Sequence, residues 1–180
     1  MIATFNQDDF PEALAVKMEL LPLLFPLHML SGGLALVLLP LTLMLHARPA
    51  LHRPAGRLTA LTVIVAGVTA FPVAWAEPVT WWSAAGFTAQ AAVWLVLLAL
   101  ALWHIRHGRT GDHRRMMLLM TATASGAIFF RVYLALWAIW AQGRNFELFY
   151  ACDAWLAWLL PLAIGAFLLK QAGSDSANPG

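Results

Sequence analysis

Charge is what this chain has least of: 11% of its 180 residues are Asp, Glu, Lys or Arg, against 61% that are hydrophobic. A soluble domain carries roughly a quarter charged residues. Twenty ionisable side chains, 11 basic and 9 acidic, are too few to coat a water-soluble helical protein of this size. Cysteine is nearly absent as well. Cys152, the single one, closes no internal disulfide and makes no zinc or iron–sulfur site unaided. No HExxH, CxxCH, Walker or GxSxG pattern occurs, which leaves hydrolase and nucleotide-binding readings without support. Positive charge is scarce at the N-terminus, where Asp8, Asp9, Glu12 and Glu19 stand against Lys17 alone. That is the reverse of the basic segment opening a cleavable signal peptide, so we expect this stretch to stay in the mature chain.

Long apolar runs are what the sequence has instead. Five of them approach the ~20 residues of helix that cross a hydrocarbon core: Leu20 to His46, Leu58 to Ala76, Trp81 to Trp103, Met116 to Trp140 and Phe149 to Leu169. The fold expected is all-α, a transmembrane bundle of about five helices whose partner is the lipid bilayer. We read 1–19 as an extracytoplasmic segment, 20–170 as one bundle domain and 171–180 as a disordered tail.

Lys and Arg in short loops mark the cytoplasmic side. Arg48, Arg53, Arg57, Arg106, Arg109, Arg114, Arg115 and Lys170 all fall on one side of this pattern; Asp8, Asp9, Glu12, Glu19, Glu77, Glu147 and Asp153 fall on the other. The N-terminus is therefore expected outside and the C-terminus inside, in a cytoplasmic membrane. Trp75, Trp81, Trp82, Trp140 and Tyr150 near the outer ends suit an aromatic belt. A pI of about 9.1 then reflects topology, and no nucleic-acid partner is expected. Prolines and glycines within the spans imply close helix packing, and a homo-oligomer or larger membrane complex stays open.

Arg131 interrupts the run "AIFFRVYLAL", although a charge at mid-bilayer costs about 2.5–3.5 kcal/mol on the mildest scale. It lies nine residues before Trp140, and His28 lies eight after Leu20, so straight helices put both about 12–14 Å from the same surface. They are expected to face each other or a shared ligand. His28 and His46, like His113 and Arg131, are 18 residues apart, about five helical turns, so one antiparallel packing would also bring His46 to His113. The plainer alternatives are that Arg131 snorkels to pair with Glu77, Glu147 or Asp153, and that His28 bonds a carbonyl freed by proline. The expected ligand pocket comprises His28, Gly32, Glu77, Arg131 and Asp153.

The other side gathers His46, His52, His104, His107 and His113 among arginines. Neutral imidazoles ligate b-type haem from two helices of a bundle. The candidate pairs are His46 with His104 and His52 with His113, arginines meeting the propionates; these residues alternatively touch lipid phosphates. Two classes of function stay open. One is a binder, carrier or accessory subunit for a small molecule, anion or lipid headgroup; the other is a redox protein holding haem or quinone.

The blocks "HMLSGGLAL", "ALHRPAGR", "GDHRRMM", "FFRVYL" and "DAWLAWLLPL", in this order between His28 and Leu169, resemble a bacterial family of predicted multi-pass membrane proteins, catalogued as a domain of unknown function. The resemblance implies importance for His28, Gly32, His52, Arg53, Gly56, Arg57, His113 and Arg131. Arg114 follows His113 in the same block. It implies no particular activity, and it favours His52 with His113 over His46 with His104, which lie outside the family pattern.

Overall fold

The computed structural model describes residues 16–142 and 144–175. Among these there are five long helices and no strand: α1 Leu24–Met44, α2 Pro49–Trp75, α3 Trp81–Arg106, α4 Thr110–Ala141 and α5 Phe146–Asp175. All five are long and apolar enough to cross a membrane. A short helical turn at 16–20 precedes α1, and a 3-10 turn, Leu45–Ala47, follows it.

The helices begin where local chemistry allows. Pro49 opens α2, a position whose N–H has no intrahelical partner anyway. Thr80 caps α3: its hydroxyl accepts the Ser83 N–H at 3.1 Å while the Ser83 hydroxyl accepts the Thr80 N–H at 3.2 Å. α4 ends at Gln142, in the left-handed region at φ 49°. Where hydropathy placed the second and fourth spans at Leu58 and Met116, the helices start at Pro49 and Thr110. The arginines that hydropathy scoring rejects, Arg53, Arg57, Arg114 and Arg115, are exposed within the first three turns, where the backbone is helical regardless. Helix α5 likewise continues to Asp175, and of the expected tail 176–180 lie outside the described residues, as does 1–15 of the N-terminal segment.

Helices α1 to α4 form a closed ring, each packed on the next and α4 returning to α1. Ala35, Leu39, Val63, Leu98, Met117 and Met120 fill its centre. Lipid is as apolar as leucine, so helices in a membrane associate through close packing and hydrogen bonds instead of hydrophobic transfer. This bundle uses glycine for the purpose. A Cβ on Gly67 would lie 2.7 Å from Leu95, one on Gly86 would lie 2.8 Å from the Ala154 carbonyl oxygen, and one on Gly126 would lie 2.6 Å from the Trp158 Cβ. The last two seat α5 against α3 and α4, outside the ring.

Candidate functional site

Three half-buried histidines share one device. His28 on α1 donates from Nδ1 to the Ala66 carbonyl of α2 at 3.0 Å, with Thr69 Oγ1 at 3.3 Å. His52 on α2 donates to the Thr42 carbonyl of α1 at 3.0 Å, and His113 on α4 donates to the Ala101 carbonyl of α3 at 2.9 Å. A carbonyl only accepts, so Nδ1 must carry the proton and Nε2 a lone pair. His52 and His113 are each the fourth residue of their helix and each is followed by arginine, so the α1–α2 and α3–α4 hairpins are locked alike. The carbonyl that His28 uses is not one freed by proline. Pro72 deprives Val68 of its partner, not Ala66; the imidazole adds a bond to a carbonyl within the helical ladder.

Near the N-terminal end of α1, where Glu77 and the α4–α5 turn also lie, an aromatic layer joins α3, α4 and α5. Ring centroids of Phe87 and Phe130 are 5.3 Å apart, those of Phe130 and Tyr150 5.2 Å, and those of Phe87 and Tyr150 6.1 Å. Arg131 follows Phe130 and is exposed. Its one hydrogen bond runs from Nη1 to the Ala127 carbonyl of its own helix at 2.6 Å. The guanidinium acts electrostatically on His28 across the α1–α4 contact and on Tyr150, while no hydrogen bond joins it to either. It forms no salt bridge with Glu77, Glu147 or Asp153 among the described residues. Gly32 lies one turn along α1 from His28, and a Cβ there would meet nothing within 4 Å.

Asp153 sits elsewhere. On α5, one turn past Tyr150, it is 3% exposed, and neither carboxylate oxygen has a hydrogen-bond partner. It lines a cleft of about 500 Å³ between α4 and α5, with Tyr133, Leu136, Trp137 and Trp140 on the α4 wall. At about 100° per residue, those positions lie about 120–180° around α4 from Arg131. The fourth helix thus carries its cation on one face and meets the buried carboxyl on the other. Glu77 is exposed in the α2–α3 connection at φ 45°. Beside it, Lys17 donates to the carbonyls of Val73 at 3.2 Å, Ala76, and Glu77 at 3.4 Å. It caps the C-terminal end of α2, where a cation is favoured. Burial pushes the Lys17 ammonium below the usual lysine range, and the Glu77 charge partly offsets this.

At the opposite, basic end, His46 falls in the 3-10 turn after α1, is exposed, and bonds the Leu43 carbonyl at 3.0 Å. No hydrogen bond joins it to His113. The expectation that they share a packed seam assumed a straight α-helix from His28 to His46, and the helix stops at Met44. His104 Nδ1 is buried without a partner, its ring edge-on to Trp103. Arg53, Arg57 and Arg114 are exposed. Among the described residues no three His, Cys, Asp or Glu side chains converge as a metal site.

The likeness of the two hairpins was readable from the His-Arg pairs at 52–53 and 113–114, each just after a basic loop. The α4–α5 cleft was not, because it depends on how far α5 is rotated about its axis. Neither the curated proteins nor the solved structures gave a match to this chain. A family model matches residues 25–169, from the first helix to the last and across the side chains whose contacts are described above, Lys17 excepted. The chain belongs to that family, described as Predicted membrane protein (DUF2306), a domain of unknown function.

Proposed function

We propose that the protein binds a small anion or an anionic lipid headgroup in the outer leaflet of a bacterial cytoplasmic membrane, with Arg131 as the anchor. The N-terminus would be outside and the C-terminus inside, as the basic loops favour. The observation that carries this reading is the state of the guanidinium. It has five N–H donors, one is used on its own helix, and among the described residues no carboxylate pairs with it. Intramembrane charges generally mark a site or a path. His28, held by α2, and the open space at Gly32 supply a neighbouring polar wall. The role is that of a carrier or accessory subunit.

The test is thermal unfolding of the purified protein with inorganic phosphate, short-chain phosphatidic acid or short-chain phosphatidylcholine. Stabilisation by phosphatidic acid alone identifies a lipid headgroup; stabilisation by phosphate as well identifies a free anion. Arg131→Gln is expected to abolish either. Equal response to phosphatidylcholine, or a response that survives Arg131→Gln, refutes the reading.

One observation favours a second reading, a redox protein holding haem or quinone. His52 and His113 have the proton on Nδ1, tied to a carbonyl, and the lone pair on Nε2, which is how ligating histidines are commonly oriented. The donor chemistry fits haem, and Arg53, Arg57 and Arg114 could meet propionates. The centre of the ring is filled by Leu39, Ala101 and Met117, so a haem would lie at the basic rim. A Soret band in the purified protein, lost on His52→Ala or His113→Ala, would establish it; a colourless preparation without extractable quinone would remove it.

A further inference from the structure

The cleft between α4 and α5 is opposite in chemistry to the surroundings of Arg131. Asp153 is 3% exposed, and among the described residues neither of its carboxylate oxygens has a hydrogen-bond partner. A buried carboxyl with nothing to bond is expensive, and an ionised one far more so. Such a group persists where something from outside completes it. The walls around it are aromatic: Tyr133, Trp137, Trp140 and Phe149 line the same cleft of about 500 Å³, the size range of small-molecule sites. Trp137 and Phe149 stack at 5.0 Å with an interplanar angle of 16°. Aromatic side chains lining one cleft with a buried acid supply the chemistry that recognises a large apolar cation, through ring quadrupoles and one opposite charge.

We propose that this cleft binds a lipophilic organic cation, entering from the bilayer, with Asp153 as its counter-charge and Trp137 and Phe149 as its aromatic wall. Arg131 is on the far face of α4 and does not neutralise Asp153. Arg144 lines an adjoining hollow of about 430 Å³ at the α4–α5 turn, which shares Trp137, Phe149 and Cys152 with this cleft.

Tetraphenylphosphonium and tetraphenylborate have similar size and opposite charge, and so separate charge recognition from greasiness. Each is added to the full-length protein in an uncharged detergent, and binding is followed by tryptophan quenching and by maleimide modification of Cys152. That cysteine is exposed, is the only one in the chain and lines the cleft. In an Arg144→Gln background, which removes the cation of the adjoining hollow, the phosphonium is expected to quench and to slow modification of Cys152, and the borate to do neither. Asp153→Asn should weaken phosphonium binding at least about tenfold. Equal binding of the two ions, or phosphonium binding undiminished in folded Asp153→Asn, overturns the proposal. Should Asp153→Asn fail to fold, Trp137→Leu keeps the carboxyl and removes a wall, and unchanged binding in that variant overturns it equally. Loss of this site would leave the Arg131 reading untouched, since that rests on anions and on the other face of α4.

Discussion

The ring of α1 to α4 and the seam where α5 joins it treat polar groups in opposite ways. Within the ring, the buried Nδ1 of His104 excepted, the polar side chains that reach between helices have backbone partners on a neighbouring helix: His28 on Ala66, His52 on Thr42, His113 on Ala101, and Gln90 on Thr123 at 3.0 Å. Thr42 and Thr59 bond each other at 2.8 Å. At the outer end of the α4–α5 seam, Arg131 serves only its own helix and Asp153 serves nothing. A bonded polar group in a membrane bundle holds helices together; one left unbonded costs stability and is kept for something else. The difference separates histidines that bond a neighbouring helix from the two charges on which the proposed sites rest.

The largest effect is expected where the seam is tightest. Gly126→Ala drives a methyl into the Cβ and backbone of Trp158, at 2.6 Å and 2.9 Å, and should cost about 1–3 kcal/mol as over-packing does. Gly32→Ala, with nothing within 4 Å, should be neutral or slightly stabilising, since glycine inside a helix costs about 0.5–1 kcal/mol relative to alanine. Reversible unfolding in detergent distinguishes them. Equal losses would mean that the seam is not seated as described.

Next comes a trade of stability against binding. Asp153→Leu removes a buried group with no partner and should stabilise the fold by about 1 kcal/mol or more while abolishing cation binding. Destabilisation instead would show that the carboxyl is bonded within the protein, and the contrast between ring and seam would fail there.

Smaller losses are expected in the ring. His52→Ala and His113→Ala each remove one interhelical hydrogen bond, worth on average about 0.6 kcal/mol in a membrane protein, and by the likeness of the hairpins they should cost the same. Unequal losses would break that likeness. The smallest effect belongs to Lys17. Its lowered pKa means that folding expels a proton between the folded value and the unfolded value near 10.5, so stability should rise with pH across that window. Lys17→Met should lose that slope in denaturation measured from neutral to alkaline pH.

Much of this was legible beforehand. Five apolar runs followed from composition, and the grouping of basic and acidic loops at opposite ends followed from connectivity, since consecutive spans must alternate. His28 and Arg131 stood out because charge and imidazole are costly in an apolar run, and the structure puts them within electrostatic reach across α1 and α4. Asp153 was grouped with them because it belongs to the same end. Its separation onto the other face of α4 could not be read, because hydropathy sets the depth of a residue far better than its direction. His46 illustrates the same limit: counting 18 residues presumes a helix that in fact ends two residues earlier.

Composition by itself determined that this chain spans a membrane as a helical bundle, because too little charge is present for any aqueous surface and each run is long enough to satisfy its own backbone inside lipid. Tertiary structure decided which polar groups are bonded and which are left open. That outcome depends on the rotation of each helix about its axis, and glycine contacts at 67, 86 and 126 set that rotation through spacings of a few ångströms that no one-dimensional pattern records.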